Sequence, residues 1–204
     1  MEKVDLTKYN FTFNGQLIDH AIIKPILFKT FVDLIDQITA IQDNAEFEKK
    51  LARLRMIEQI KFVTNNGLEL TLQQQDIPSL PIKVGMLLQA EVKEQSTPIG
   101  EVLMDGDGIQ SPVLYKLGTA IKTNDGEISE LEFQAKTYGD VEDILAETSG
   151  IRRAYKMITS ISTPICNDLK MIRTPEKIAE QIQLIDGLAI AQIVAPRFFN
   201  VDAN

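Results

Sequence analysis

An α+β fold of two related units, each a β-hairpin packed against three or four helices, is what this sequence predicts. Three observations lead to it. Asn14-Gly15 and Asp125-Gly126 each sit between apolar alternations, and such pairs are the strongest short hairpin signal because a type I′ turn needs positive φ at both central residues. Downstream of the first pair, Phe31, Leu34, Ile35, Ile38 and Ile41 recur at helical spacing, the signature of an amphipathic helix. Finally, the chain answers itself. Lys29-Thr30-Phe31-Val32-Asp33-Leu34 is matched by Lys136-Thr137-Tyr138-Gly139-Asp140-Val141, Arg55-Met56-Ile57-Glu58-Gln59-Ile60 by Lys156-Met157-Ile158-Thr159-Ser160-Ile161, and Val84-Gly85-Met86-Leu87-Leu88 by Asp186-Gly187-Leu188-Ala189-Ile190. Matches in one order point to duplication of a unit of roughly 100 residues, an ordinary domain size.

In chain order, residues 9–13 and 17–23 form the first predicted hairpin, and residues 114–122 and 128–135 the second. Thr30 with Asp33, and Thr137 with Asp140, fit a helix start in which a hydroxyl accepts an orphan backbone N–H and a carboxylate faces the positive end of the helix dipole. Phe47, Leu51, Leu54, Ile57 and Ile60 predict a second helix over residues 46–62, with Lys49, Lys50, Arg53 and Lys61 on its other face; its counterpart covers residues 151–161,. Shorter helices follow at 84–92, 175–185 and 187–194, where Thr174 then Pro175 is a cap-and-first-turn start,. Residues 1–93 thus make the first unit and 113–204 the second. Residues 94–112, with Pro98, Gly100, Gly106, Gly108 and Pro112 among acids, read as the linker,.

Composition narrows the chemistry. The 29 acidic and 21 basic side chains leave a net charge of −8, which opposes a sequence-independent phosphate-binding surface, so no nucleic-acid partner is expected. One cysteine, Cys166, cannot close an internal disulfide, and the N-terminus lacks a basic-then-apolar secretory pattern, which predicts a reducing cytoplasm. No apolar run reaches the ~18 residues of a membrane span. There is no G-x-x-x-x-G-K-[ST], G-x-G-x-x-G, H-E-x-x-H or C-x-x-C string,. His20, the only imidazole, lies in a predicted strand among apolar residues, and Cys166 has no base near it in sequence,. Asp105-Gly106-Asp107-Gly108 opens like a calcium loop, but Lys116 stands where the twelfth-position Glu belongs,. Arg152, Arg153 and Lys156 read as a solvated helix face pairing with Asp143 and Glu147,. No enzyme, cofactor or metal centre is expected.

The second unit resembles a known family. Tyr115-Lys116-Leu117, the Asp125-Gly126 hairpin, Ile128-Ser129-Glu130-Leu131-Glu132-Phe133, the Thr137-Tyr138-Gly139-Asp140 helix start, residues 184–194 and Phe198-Phe199 together look like the small Mu-type tail assembly chaperones of tailed bacteriophages. The likeness covers residues 113–199, and more faintly 9–92. Gln134-Ala135-Lys136 stands where that family has arginine, glutamate and proline, and this chain is two units long rather than one. The resemblance implies a protein of phage tail morphogenesis that holds the tape-measure protein and recruits tail-tube subunits. The alternative is a permanent structural component of the tail or baseplate, since a duplicated module offers two docking faces. It implies residence in the host cytoplasm during assembly, or in the virion tail. The apolar positions recurring in both copies, Phe31, Leu34, Tyr138 and Ile144, and the Phe198-Phe199 pair after Pro196, are the expected partner-binding residues.

Overall fold

Asn14 and Gly15 both take positive φ, 51° and 74°, which is the turn that their sequence predicts. They join β2 (Thr12–Phe13) to β3 (Gln16–Ile23). Replacing Gly15 with alanine puts a Cβ into open space but in the left-handed region, and is expected to cost about 1 kcal/mol, read as a lower denaturation midpoint.

The computed structural model describes residues 1–106, 108, 110–124, 126–166, 169–170 and 175–199. They form two units: Met1–Ile26 with Asp33–Thr97, and Leu27–Val32 with Pro98–Asn204. Leu27–Val32 therefore belongs to the second unit although it lies in the first half of the chain.

In the first unit, β1 (Glu2–Asp5) and β2 share one edge of β3, whose other edge carries β4 (Ile60–Thr64) and then β5 (Glu69–Thr71), all antiparallel. Along the chain between β3 and β4 run α1 (Phe28–Asp36), of which the part up to Val32 belongs to the second unit, and α2 (Asn44–Gln59); α3 (Ile82–Glu94) follows β5. Asp43 caps α2 by accepting the Glu46 N–H at 2.8 Å,. The core joins the sheet to α2 and α3 through Ile18, Ile23, Met56, Ile60, Val84, Leu88 and Val92, with the Phe62 ring 5.3 Å from Phe11 and 5.0 Å from Phe13.

The second unit has the sheet order β6 (Glu101–Met104), β7 (Val113–Thr123), β8 (Gly126–Phe133), β9 (Ser162–Cys166) and β10 (Leu169–Lys170). The helices are α4 (Glu142–Leu145), α5 (Gly150–Ile161), α6 (Pro175–Ala179), α7 (Leu184–Ala189) and α8 (Ala195–Phe199). A π turn, Ile190–Val194, joins α7 to α8; there the Ala195 N–H reaches back to the Ile190 carbonyl, just before Pro196, which has no N–H to offer,.

The two units follow one path: hairpin, helix, helix, a strand laid beside the hairpin, a further strand, and closing helices. Their registers also agree. Ile23 pairs with Ile60 and Ile18 with Thr64, Asp19 being skipped; Phe133 pairs with Ser162 and Ile128 with Cys166, Ser129 being skipped. Where each hairpin leaves its sheet, Lys24 N–H donates to the Gln59 carbonyl and Gln134 N–H to the Ile161 carbonyl. Residue correspondences follow directly: Gln59 with Ile161, one residue from the Arg55–Ile60 match of the sequence, and Phe28 with Tyr138, the first residues of their helical turns.

Several expectations are corrected. Each unit is built on a five-stranded sheet rather than a lone hairpin. Residues 60–62 leave helical geometry, since β4 starts directly after α2, as β9 does after α5. The expected linker 94–112 contains the end of α3 and β6, which pairs with β7 as the sheet's edge. Tyr9 lies in a 3₁₀ turn, and residues 37–41 leave α1. The Lys-Thr-aromatic match of the sequence is out of structural register by one turn: α1 starts at Phe28, where the Phe28 N–H is already held by the Ile182 carbonyl at 2.8 Å, so Thr30 lies inside the helix. The second start is as expected, with Asp140 accepting the N–H groups of Lys136 and Thr137 at 2.9 and 2.8 Å, bonds that hold its carboxyl below the usual range,. In the second hairpin Thr123 pairs with Gly126, placing Gly126 in the strand. Asp107, Asp125 and Thr174, and the parts of those readings that rest on them, lie outside the described residues.

Candidate functional site

The first unit presents a groove between α2 and α3. Glu48, Lys49, Leu51, Ala52 and Arg55 line it from α2, and Gln89, Val92, Lys93 and Ser96 from α3 and its end, around a volume of about 470 Å³. Its floor exists because α2 and α3 turn Leu51, Met56, Val84, Leu88 and Val92 inward. Arg55 closes one wall. Its guanidinium donates to the Val92 carbonyl at 2.6 Å and to the Gln59 side chain at 3.1 and 3.2 Å, while the Gln59 amide donates to the Lys24 carbonyl at 3.0 Å. Burial pulls the Arg55 pKa down from the ordinary guanidinium value, yet the group stays cationic at neutral pH. Because Arg55 satisfies the Val92 carbonyl near the end of α3, Arg55→Met is expected to lower stability by about 1–2 kcal/mol and to loosen α3, measured by amide exchange over residues 88–96.

The outer side of α3 is apolar as well. Ile82 is 80% exposed and Met86 68%, and with Ala90 they recur every fourth residue on the face opposite the buried Val84, Leu88 and Val92,. The sequence carried that signal, since α3 is apolar on two opposite stripes rather than one. Stripes of this kind mark contact surfaces more often than chance exposure does.

Of the expected partner-binding residues, Tyr138 alone is shown exposed. Phe31, Leu34, Ile144 and Phe198 are buried, and Phe198 lies across Gly108. These four side chains are therefore corrected from docking residues to packing residues. The Phe199 side chain lies outside the description. Arg197 pairs with Asp105, the first acid of the rejected calcium loop. His20 Nδ1 lies 2.6 Å from the Asp19 carboxylate, and Cys166 is buried. Among the described residues no group of three metal-ligating side chains converges. Lys156 lies 3.7 Å from Glu147, and Arg153 donates to the Glu147 carbonyl at 2.7 Å. The Lys156–Glu147 contact is a pairing expected of this basic face, while Arg153 is held by a backbone carbonyl instead.

The second unit carries one buried polar cluster that sequence reasoning missed. Asp186, on α7, accepts the Gly118 N–H at 2.6 Å and the Tyr115 hydroxyl at 3.1 Å on Oδ1, and the Thr119 N–H at 3.2 Å on Oδ2. The Tyr115 hydroxyl also lies 2.6 Å from the Ile99 carbonyl. Gly118 and Thr119 fall where β7 breaks register with β8 between Lys116 and Ile121, so the carboxylate satisfies N–H groups that the ladder leaves over. Burial raises the Asp186 pKa against the lowering effect of those bonds; burial and the nearby carboxylate raise that of Tyr115. The cluster is closed on itself, and it does structural work.

Comparison with protein-family models, with curated proteins and with solved structures finds no match to this chain. No helix among the described residues is long and apolar enough to cross a membrane.

Proposed function

We propose that the chain acts by protein–protein contact in phage tail morphogenesis, as an assembly chaperone that holds the helical tape-measure protein and recruits tail-tube subunits. The observation that carries the contact function is the α2–α3 groove, with its apolar floor of Leu51, Ala52 and Val92, a rim carrying Lys49 and Lys93 beside Glu48, and Arg55 in one wall. A groove of that make-up suits the anchor side chains of an amphipathic helix bearing acids beside its apolar stripe. The phage context rests on the sequence resemblance of residues 113–199.

A second reading, a permanent tail or baseplate component, is favoured by the common path and register of the two units, because a repeated module suits a repeating assembly. Mass spectrometry on mature particles and infected-cell lysate separates the two. Abundance in lysate with absence from particles supports the chaperone, and fixed stoichiometry in particles supports the component. Absence from both would remove the phage reading. For the groove, Ala52→Glu with Lys93→Glu is expected to abolish co-purification with the tape-measure protein; retention would move the contact elsewhere.

A further inference from the structure

The repeat exposes a difference between its two copies. In the second unit, the Phe28 ring lies across Gly187, close enough that a Cβ there would overlap it, with the Tyr155 ring 6.2 Å away. Leu27 bridges to Gln183 beside it. Residue correspondence carries this seat into the first unit, α3 and α7 starting in step after β4 and β9. Gly187 corresponds to Gly85, Leu184 to Ile82, Leu188 to Met86 and Tyr155 to Arg53, while the buried Asp186, Ile190 and Val194 correspond to the buried Val84, Leu88 and Val92. The seat on α7 is covered: Leu184 is 1% exposed. The seat on α3 is bare. Only the Leu80 Cβ, at 3.8 Å, lies near the Cβ position of Gly85, and Ile82 and Met86 stand in solvent.

The plug has a counterpart too. Phe28 corresponds to Tyr138, and where Phe28 is fully buried, Tyr138 is 70% exposed. Its turn is already fixed by the Asp140 carboxylate on the Lys136 and Thr137 N–H groups, so little ordering entropy opposes docking. Beyond Lys136, the residues around Tyr138 that face solvent include Asp140, Glu142 and Asp143. Lys93 lies on the surface beside Met86 and Lys83 follows Ile82 in α3, charges of the opposite sign.

We propose that the Tyr138 turn of one copy docks over Gly85, between Ile82 and Met86, on α3 of a second copy, repeating between chains the seat that Phe28 occupies within one. The occupant of the face is a second copy because this chain carries both the seat and its plug, matched by correspondence to a pair already engaged. Such a contact closes either as a reciprocal pair, each copy's turn in the other's seat, or head to tail as a ring or filament. The inference rests on the repeat alone, independent of the groove and of the phage reading.

Analytical ultracentrifugation of the full chain tests it. The average mass is expected to rise above the 22.9 kDa monomer with increasing concentration, and Tyr138→Asp or Met86→Asp to weaken association at least tenfold with unchanged circular dichroism. Gly85→Leu, which fills the seat and favours the helix, is expected to do the same. The deciding sample mixes Tyr138→Asp with Met86→Asp. Each retains one working face, so the mixture should form a dimer and stop there. A wild-type chain that stays monomeric at every concentration overturns the proposal, as does association that survives both substitutions or a mixture that grows beyond two.

Discussion

Phe28→Ala is expected to destabilise the second unit by about 3–5 kcal/mol, the range for a fully buried aromatic truncated to a methyl group. The ring is wholly enclosed, covers Gly187 and neighbours Tyr155. Since Leu27–Val32 belongs to that unit, the loss should appear as faster amide exchange in residues 150–161 and 184–199, far from position 28 in sequence. Exchange confined to residues 1–97 would contradict it. Gly187→Ala drives a Cβ into the ring and should cost about 1–3 kcal/mol, whereas Gly85→Ala, at the corresponding open position, should gain up to about 1 kcal/mol from helix propensity. Removing the ring removes the overlap, so Gly187→Ala combined with Phe28→Ala should cost less than the sum of the two.

Asp186→Asn is the second large effect. An amide can accept on one side only, so its NH₂ would meet either the Thr119 N–H or the Gly118 N–H, leaving a partly buried donor without its acceptor beside a buried side chain, at about 1–3 kcal/mol. The pH dependence has a definite sign. Burial raises the folded-state pKa of Asp186 above its unfolded value, so the stability linked to its protonation is fully present below the unfolded pKa and lost as pH rises through the folded one. The wild-type minus Asp186→Asn difference in unfolding free energy should therefore grow as pH falls from 7 towards 4. Asp5 and Asp140, whose pKa values are lowered by bonds from Thr7 and from Thr137 and Lys136, act in the opposite direction in both proteins and cancel in the difference. A difference that shrinks with acid would show that the folded-state pKa of Asp186 is depressed.

Much of this architecture was legible because its signals are local. Asn14-Gly15 dictates its turn through φ, and α2, α3 and α5 follow their apolar spacing to within a few residues. The strands β4 and β9 were hidden because each follows its helix with no glycine or proline between them, so an apolar run reads on as helix,. Pro164 further disguised β9, because a proline inside an apolar run argues against a strand,. β6 was masked by the glycines and prolines around it. At the level of the site, the matched Gly85 and Gly187 were visible, but that one is covered and the other bare depends on where Phe28 and Tyr138 lie in three dimensions. The core residues Phe31, Leu34, Ile144 and Phe198 were indistinguishable from contact residues because packing and docking draw on the same side chains,.

The assignment of Leu27–Val32 to the second unit also sets a timetable for synthesis. At ~5–20 residues per second, the ribosome releases Phe28 many seconds before it makes Ile182, Gln183 and Gly187, the groups that receive it. Throughout that interval the nascent chain carries a bare aromatic on a half-built helix, and any cut near residue 97 makes the condition permanent in both fragments. One is left with a plug that has nowhere to go, and the other with an unsealed slot over Gly187. The two units are therefore parts that cannot be shelved separately, and translation of the second is the last step in finishing the first stretch of chain.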